Sequence, residues 1–294
     1  MLDGIINIKK EKGYTSHDVV ARLRGILGQK KIGHTGTLDP DAVGVLPVCL
    51  GKATKLCDLL TDKEKTYQTV LLLGTETDTQ DISGQVLREC AVTADPAKIC
   101  ACIQSFQGEI MQIPPMYSAC KVQGKRLYEL AREGIQVERK PRPVQIHHIT
   151  VIDMASPRVF MEVACSKGTY IRTLCHDIGQ KLGCGGCMEE LVRTRVGTFA
   201  LDQALTLDQV ETLQAKGQVE EALIPIDRVL ERYPKITCTG PEDKLLDNGN
   251  PLPVKNHGPA HPGWVRVCDS RGIFKGIYQQ REGTGKYFPI KMFL

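Results

Sequence analysis

Asp39 is the residue of this chain whose setting points most directly to chemistry. It stands in the run Lys30-Lys31-Ile32-Gly33-His34-Thr35-Gly36-Thr37-Leu38-Asp39-Pro40-Asp41. Gly33 and Gly36 admit backbone conformations that other residues resist, and Pro40 restrains Asp39 to an extended conformation. A carboxylate held on so stiff a loop, beside a histidine and two lysines, is suited to act as a nucleophile or base. The competing reading is a turn aspartate that caps a backbone N–H, and Asp39 taken alone does not choose between them. Asp39-Pro40-Asp41 also has the look of the paired aspartates of Mg2+-dependent phosphatases. That chemistry needs the first aspartate at the end of an apolar strand, and Gly-His-Thr-Gly-Thr-Leu is not one. Cys184-Gly-Gly-Cys187 could be half of a zinc site or a redox pair, but no second pair stands at matching spacing. These are read as structural thiols. His147 and His148 fall in an alternating segment that sends their rings to opposite faces, so no shared metal is expected there. The site as a whole is expected to hold no metal.

The elements that must position Asp39 begin with a short strand at 4–9 and a helix opened by Thr15. Thr15 and Asp18 fit a capping box, Val19, Leu23, Ile26 and Leu27 follow at helical spacing, and Gly28 ends the helix. Residues 29–55 are rich in Gly, Thr, Asp and Pro without clean periodicity, and are expected to be a long functional loop. Thr66–Leu73 reads as a buried strand. Asp95-Pro96 starts a helix with Ile99, Cys102, Ile103 and Phe106 inward, and Lys125–Glu133 forms a short one. Val144–Ile152 and Val159–Cys165 alternate with period two and are expected to be neighbouring strands. A helix over 169–182 turns Ile171, Leu174, Cys175, Ile178 and Leu182 inward and stops at Gly183, and Thr206 to Gln209 is a further capping box. Strands in hairpin-like pairs mixed with helices indicate an α+β class, with a mixed, largely antiparallel sheet flanked by helices. After about Tyr233, Pro, Gly and Asn cluster and short β-rich pieces follow. A domain of residues 1–235 and a small C-terminal β-rich domain of residues 236–294 are expected.

The 294 residues carry 41% apolar side chains, enough for a sizeable core, and 24% charged ones. That balance excludes disordered and fibrous classes. No stretch reaches the roughly 18 uninterrupted apolar residues of a membrane helix, and the N-terminus has no basic-then-apolar signal, so a cytoplasmic protein is expected. Lys and Arg exceed Asp and Glu by 38 to 34, a formal charge of +4, which is too mild to establish a nucleic-acid partner. The 12 cysteines are scattered, and buried thiols are expected rather than disulfides.

Several runs, in order, resemble the motifs of TruB-type tRNA pseudouridine synthases. They are Gly33-His-Thr-Gly-Thr-Leu-Asp39-Pro40, then Lys52-Ala-Thr-Lys55, Asp62-Lys-Glu-Lys-Thr-Tyr67 and Pro114-Pro-Met-Tyr-Ser-Ala119. Leu127-Tyr128 with Ala131-Arg132, Cys165-Ser-Lys-Gly-Thr-Tyr-Ile-Arg172-Thr-Leu174 and Arg193-Thr-Arg-Val-Gly197 complete the series. Ordered matches from residue 4 to about 200 are far more specific than any one of them. The resemblance implies that Asp39 is the catalytic aspartate, that Tyr67 stacks on the target base and serves proton transfer, and that Arg172 pairs with the Asp39 carboxylate. It places Leu191 as an apolar residue beneath the base, His34 in the space a T-loop uridine vacates, and Lys10 in an N-terminal Lys-Pro-x-Gly motif. The chain departs from the family at Glu11, which stands for that proline, and at Cys187 and Val192 around Leu191.

The implied reaction isomerises uridine 55 of the tRNA T-loop, after base flipping, to pseudouridine. Substrate and product are isomers, so stoichiometry requires no cofactor. Arg172 is expected to depress the pKa of Asp39 and keep it charged. Lys30, Lys31, Lys121, Lys125, Arg126, Arg139, Lys140, Arg142, Arg193 and Arg195 are expected to grip the T-arm backbone. The resemblance implies a PUA-like RNA-binding module at the C-terminus, and a monomer is expected. A second class, a non-catalytic tRNA-binding module, remains open at this stage.

Overall fold

The structure, a computed structural model, describes residues 1–122, 124–259 and 261–294, the side chain of Lys121 lying outside the described part. A chain of strands and helices in irregular alternation builds one large sheet. Its strands are β1 (Gly4–Lys10), β2 (Ile32–His34), β3 (Val43–Leu50), β4 (Lys65–Leu73), β5 (Gly108–Gln112), β6 (Arg142–Ala155), β7 (Arg158–Cys165), β8 (Gly186–Val196) and β9 (Phe199–Ala200). They run in the order β1-β3-β8-β4-β7-β6-β5, with β2 on β3 and β9 on β8. Every pairing is antiparallel except β3 with β8.

Two helices form as their sequences dictate. The first, α1 (Ser16–Leu27), has the Thr15–Asp18 capping box at its start and Gly28 in the left-handed conformation at its end. The second, α2 (Pro96–Gln104), has Asp95 accepting from the Lys98 N–H. Two more follow, α3 (Ile171–Leu182), ended by left-handed Gly183, and α4 (Leu207–Ala215). The short helix near 130 covers Leu127–Arg132.

The long stretch at 29–55 is more ordered than expected. It contains β2, β3 and the start of a 3-10 turn at Gly51–Leu56. The reason lies in the packing of β3. Leu46, Val48 and Leu50 face a core made with Ile6 and Ile8 of β1, Val19 and Leu23 of α1, and Val210 of α4. Val45 and Cys49 face the opposite side, against Leu56, Leu60, Phe199 and Ile277. A strand buried on both faces shows no polar alternation, so it leaves no period-two signature. The third core lies between the sheet and α2 and α3, and includes Leu71, Ile103, Ile146, Met161, Leu174 and Ile178.

The C-terminal part holds a five-stranded sheet made of β10 (Lys235–Thr237), β11 (Leu252–Pro253), β12 (Trp264–Cys268), β13 (Phe274–Arg281) and β14 (Lys286–Met292), with a helix α5 (Gly240–Asp247). It has its own core of Ile236, Leu246, Val265, Val267, Tyr278 and Tyr287. It is also fastened to the larger sheet, since Ile277 and Phe293 join the core beneath β3. The Lys55 ammonium donates to the Met292 carbonyl at 2.7 Å, and the Lys291 ammonium donates to the Lys55 carbonyl at 2.7 Å. All 12 cysteines are free thiols, with Cys184 and Cys187 buried. Among the described residues no helix is long and apolar enough to cross a membrane.

Candidate active site

The Asp39 loop connects β2 to β3, and four contacts fix it. Leu38 N–H donates to Ser16 Oγ at 2.9 Å, tying the loop to the first turn of α1. Gly13 N–H donates to the Pro40 carbonyl at 2.9 Å, Thr35 N–H to the Pro47 carbonyl at 3.2 Å, and Ala42 N–H closes a turn on the Asp39 carbonyl at 3.1 Å. Beneath the loop, Leu38 and Ala42 share one apolar cluster with Tyr67 of β4 and Leu191 of β8.

Asp39 faces Arg172, in the first turn of α3. Arg172 Nε lies 3.1 Å from Asp39 Oδ2, and Nη2 donates to Asp39 Oδ1 at 3.3 Å. The two differ in access: the Asp39 side chain is 40% exposed and the arginine 7%. The carboxylate can therefore meet a substrate while the guanidinium lies buried behind it. The guanidinium is held on its other sides by the Tyr117 carbonyl at 2.9 Å and by Asp81 Oδ2 at 3.3 Å.

The electrostatic outcome differs from the expectation. Burial raises the Asp39 pKa above its ordinary value, Arg172 pulls it down, and the Asp81 carboxylate pushes it up again. Desolvation of a charge in a cleft outweighs one ion pair here, so Arg172 limits the rise rather than producing a depressed value.

Tyr67 is buried. Burial raises its phenol pKa, which keeps the proton on, while the nearby Arg193 guanidinium opposes the rise and Asp39 adds to it. His34, at the end of β2, accepts at Nδ1 from the Gly36 N–H at 3.3 Å and meets the His17 ring edge-on at 5.5 Å. Burial lowers its pKa, and His17 and Arg193 lower it further, so the ring is neutral near pH 7.

Two cations have other work than the sequence suggested. Lys10 is fully buried, and its ammonium donates to the carbonyls of Glu11, Tyr14 and Pro40 at 3.0, 2.6 and 3.0 Å. Burial lowers its pKa to about 8, against the raising influence of Asp39 and Asp41. It acts on the site by holding the turn at 11–14 and the Pro40 backbone, not by touching RNA, and it closes a turn that lacks the family's proline at position 11. Arg193 was expected on a phosphate. It is instead 1% exposed, with Nε donating to the Val45 carbonyl at 2.7 Å and its two Nη atoms donating to Thr37 and Gly36. Every donor edge points into the protein, so it braces the Asp39 loop from below. Lys30, Lys31, Lys125, Lys140, Arg142 and Arg195 are exposed, as a backbone grip requires. Arg139 is half-buried and donates to the Pro114 carbonyl.

Sequence reading missed Asp81. It lies in the turn between the strands Thr75–Thr77 and Val86–Glu89, and its Oδ1 accepts from Thr79 Oγ1 and from the Ser83 backbone. A turn rich in Asp, Thr, Ser and Gly announces a bend and nothing about an arginine 91 positions away. Ser16 and the Tyr117 carbonyl were missed for the same reason, since their roles exist only through contacts distant in sequence.

The overall fold that carries this site is shared with solved RNA–protein assemblies. The structure of an H/ACA RNP bound to a substrate RNA containing 2'-deoxyuridine superposes with a TM-score of 0.75 at 27% identity, covering 99% of this chain and 85% of that one. A Cbf5-Nop10-Gar1 complex superposes at 0.74 and 29% identity, with the same coverage. The fold is that of a pseudouridine synthase, an isomerase. Family models described as "TruB family pseudouridylate synthase (N terminal domain)" and "tRNA pseudouridylate synthase B C-terminal domain" match residues 24–171 and 172–231. The chain is 50% identical, over the full length of both, to tRNA pseudouridine synthase B of Lachnoclostridium phytofermentans. It is 51% identical to that of Alkaliphilus oremlandii, over 98% of this chain and 97% of the relative. The chain belongs to the TruB family of pseudouridylate synthases.

Proposed function

We propose that this protein converts uridine 55 in the T-loop of tRNA to pseudouridine, with Asp39 as the catalytic carboxylate. The observation that carries the reading is the Asp39–Arg172 pair, open on the carboxylate side and closed on the guanidinium side. In the reaction the N1–C1′ bond breaks, the uracil turns, and a C5–C1′ bond forms. The C5 proton is lost and N1 gains one, so atoms balance without a cofactor. Asp39 supplies the anion next to the sugar and base. Tyr67, which keeps its proton, lies against one face of the base above the floor made by Leu191. Asp39 takes the C5 proton, directly or through a water held by the Tyr67 hydroxyl.

A stacked loop base has to be flipped out, at a cost of a few kcal/mol. Stacking on Tyr67 returns about 1–3 kcal/mol of this. Neutral His34, beside His17, fits into the vacated space without adding charge. The exposed lysines and arginines hold the T-arm backbone. Residues 236–294 act as a PUA-like module on another part of the tRNA. The enzyme works as a monomer in the cytoplasm, where its substrate is.

The test is direct. The full chain is incubated with an unmodified tRNA transcript, without cofactors, and pseudouridine is mapped by position. One new pseudouridine at position 55 is expected, with Asp39→Asn binding the transcript but forming none. Unchanged yield from Asp39→Asn, or modification at another position, overturns the reading.

A further inference from the structure

The C-terminal β-rich part carries a cluster that the isomerisation does not use. Cys238 follows β10, Glu242 lies in the first turn of α5, and His257 follows the 3-10 turn Val254–Asn256. One donor atom from each lies within 4.8 Å of the other two. It is the one such group of three found among the described residues.

Two independent features give the cluster direction. The first is an orphan: His257 has a side chain only 3% exposed, and its Nε2 has no hydrogen-bond partner. That atom sits 3.4 Å from Glu242 Oε1. A buried ring nitrogen without a partner costs free energy, and 3.4 Å is long for a hydrogen bond of this type. It is, however, the separation expected of two ligands on one ion. Nitrogen and oxygen each about 2.0–2.1 Å from a tetrahedral zinc lie about 3.4 Å apart.

The second feature is the support around the carboxylate. Glu242 Oε2 accepts from the Thr239 N–H and hydroxyl at 2.9 and 3.0 Å, which pins the side chain as part of the α5 capping box. Oε1 accepts from Asn256 Nδ2 at 2.8 Å and retains a lone pair toward His257 and Cys238. Hydrogen bonds that orient a ligating carboxylate are the usual outer layer of a metal centre.

We propose that Cys238, Glu242 and His257 form a zinc site that staples the end of β10, the start of α5 and the loop after residue 256. A donor set of one sulfur, one imidazole and one carboxylate suits a borderline-soft divalent cation such as Zn2+ and not Mg2+ or Ca2+, which take oxygen ligands. No fourth His, Cys, Asp or Glu joins the group among the described residues, so water completes the tetrahedron. The site lies outside the catalytic machinery. Its work is to hold together a small sheet whose own core is modest.

The experiment uses the purified full chain, stripped with a chelator and then titrated with ZnCl2 against a chromophoric chelator. Metal content after desalting is measured by mass spectrometry. The expected result is one Zn2+ per chain. The unfolding midpoint should rise by about 5 °C when free Zn2+ exceeds Kd a hundredfold. Cys238→Ala and His257→Gln should each weaken zinc binding at least a hundredfold. Cys184→Ser should bind as the wild type does. Less than a tenth of an equivalent in the zinc-saturated wild type overturns the proposal, and so does stoichiometric zinc retained by both variants. The wild-type titration decides the matter even if one variant fails to fold.

Discussion

Arg172 is held between two carboxylates, with Nε 3.1 Å from Asp39 Oδ2 and Nη1 3.3 Å from Asp81 Oδ2. Asp39 is 40% exposed and Asp81 16%, so one partner faces solvent and the other lies behind. The buried charge is shared between the carboxylate proposed as catalytic and an anchoring one. Asp81 aims the guanidinium, and its own negative charge also reaches Asp39 and raises its pKa. The three form one electrostatic unit whose members have opposite effects on the proton of Asp39.

That unit sets the pH dependence. In the proposed reaction Asp39 must be ionised, and its pKa lies above the ordinary 3.8 because of burial. Single-turnover activity should therefore rise with pH through a transition higher than that of a free aspartate and then level off. Arg172→Gln removes the charge that opposes the rise, so its residual transition should move to higher pH, with activity down by about 10²–10³-fold. Asp81→Asn removes a charge that adds to the rise. Its transition should move to lower pH, although activity falls about tenfold or more because Arg172 loses an anchor. Profiles that move together, or in the opposite sense, contradict this arrangement.

How much of this was legible in the sequence depended on the range of the contacts. Helix α1 was readable because Thr15, Asp18 and Gly28 act within a few residues of one another, and α3 likewise through its apolar stripe and Gly183. The hairpin of β6 and β7 was visible in its alternation. Strand β3 was not, since a strand covered on both sides offers no polar face. Charge was the least legible property. Lys10 and Arg193 look like surface cations in the sequence, and only the fold shows their donors turned toward backbone carbonyls. Asp81 gave no signal, because a turn aspartate gains meaning from an arginine on another element.

Tyr67 separates ring from hydroxyl. Tyr67→Phe keeps the proposed stacking face and loses the hydroxyl. RNA affinity should stay within about threefold, and kcat should fall by about a hundredfold, the lower end for loss of acid–base help. Tyr67→Leu should in addition weaken binding of a substrate analogue, by about 1–3 kcal/mol of lost stacking. Binding and single-turnover assays on both variants distinguish these effects, and equal behaviour of the two would argue against a stacking role.

Arg193 and Arg195 stand two residues apart and should answer differently to salt. Arg195 is exposed and Arg193 is 1% exposed. Arg195→Gln should lower the slope of log affinity against log salt by about one, with no change in unfolding midpoint. Arg193→Met should leave the slope unchanged. It strands the Val45, Thr37 and Gly36 carbonyls, and should cost about 3 kcal/mol of stability, with activity lost as the Asp39 loop relaxes. Filter binding across a salt series, beside thermal unfolding, reads both.

Gly44 is where the Asp39 loop enters the sheet, and it tests whether the parallel contact of β3 with β8 positions Asp39. Its φ is +117°, and a Cβ there would lie 2.2 Å from the Arg193 carbonyl oxygen and 2.8 Å from its nitrogen. The obstacle is backbone on both counts, so no rotamer change relieves it. Gly44→Ala should push β3 from β8 at the residue whose side chain braces the loop. The expected loss is about 3 kcal/mol or more, a drop of about 5 °C or more in midpoint for a chain of this size, and activity should fall with it at 25 °C. Gly25 is the control. It lies on the exposed side of α1, a Cβ there meets nothing within 4 Å, and its backbone is helical. Gly25→Ala should stabilise by about 0.5–1 kcal/mol with activity unchanged. If the two substitutions shift the midpoint alike, the close approach of Gly44 to Arg193 does not constrain the site.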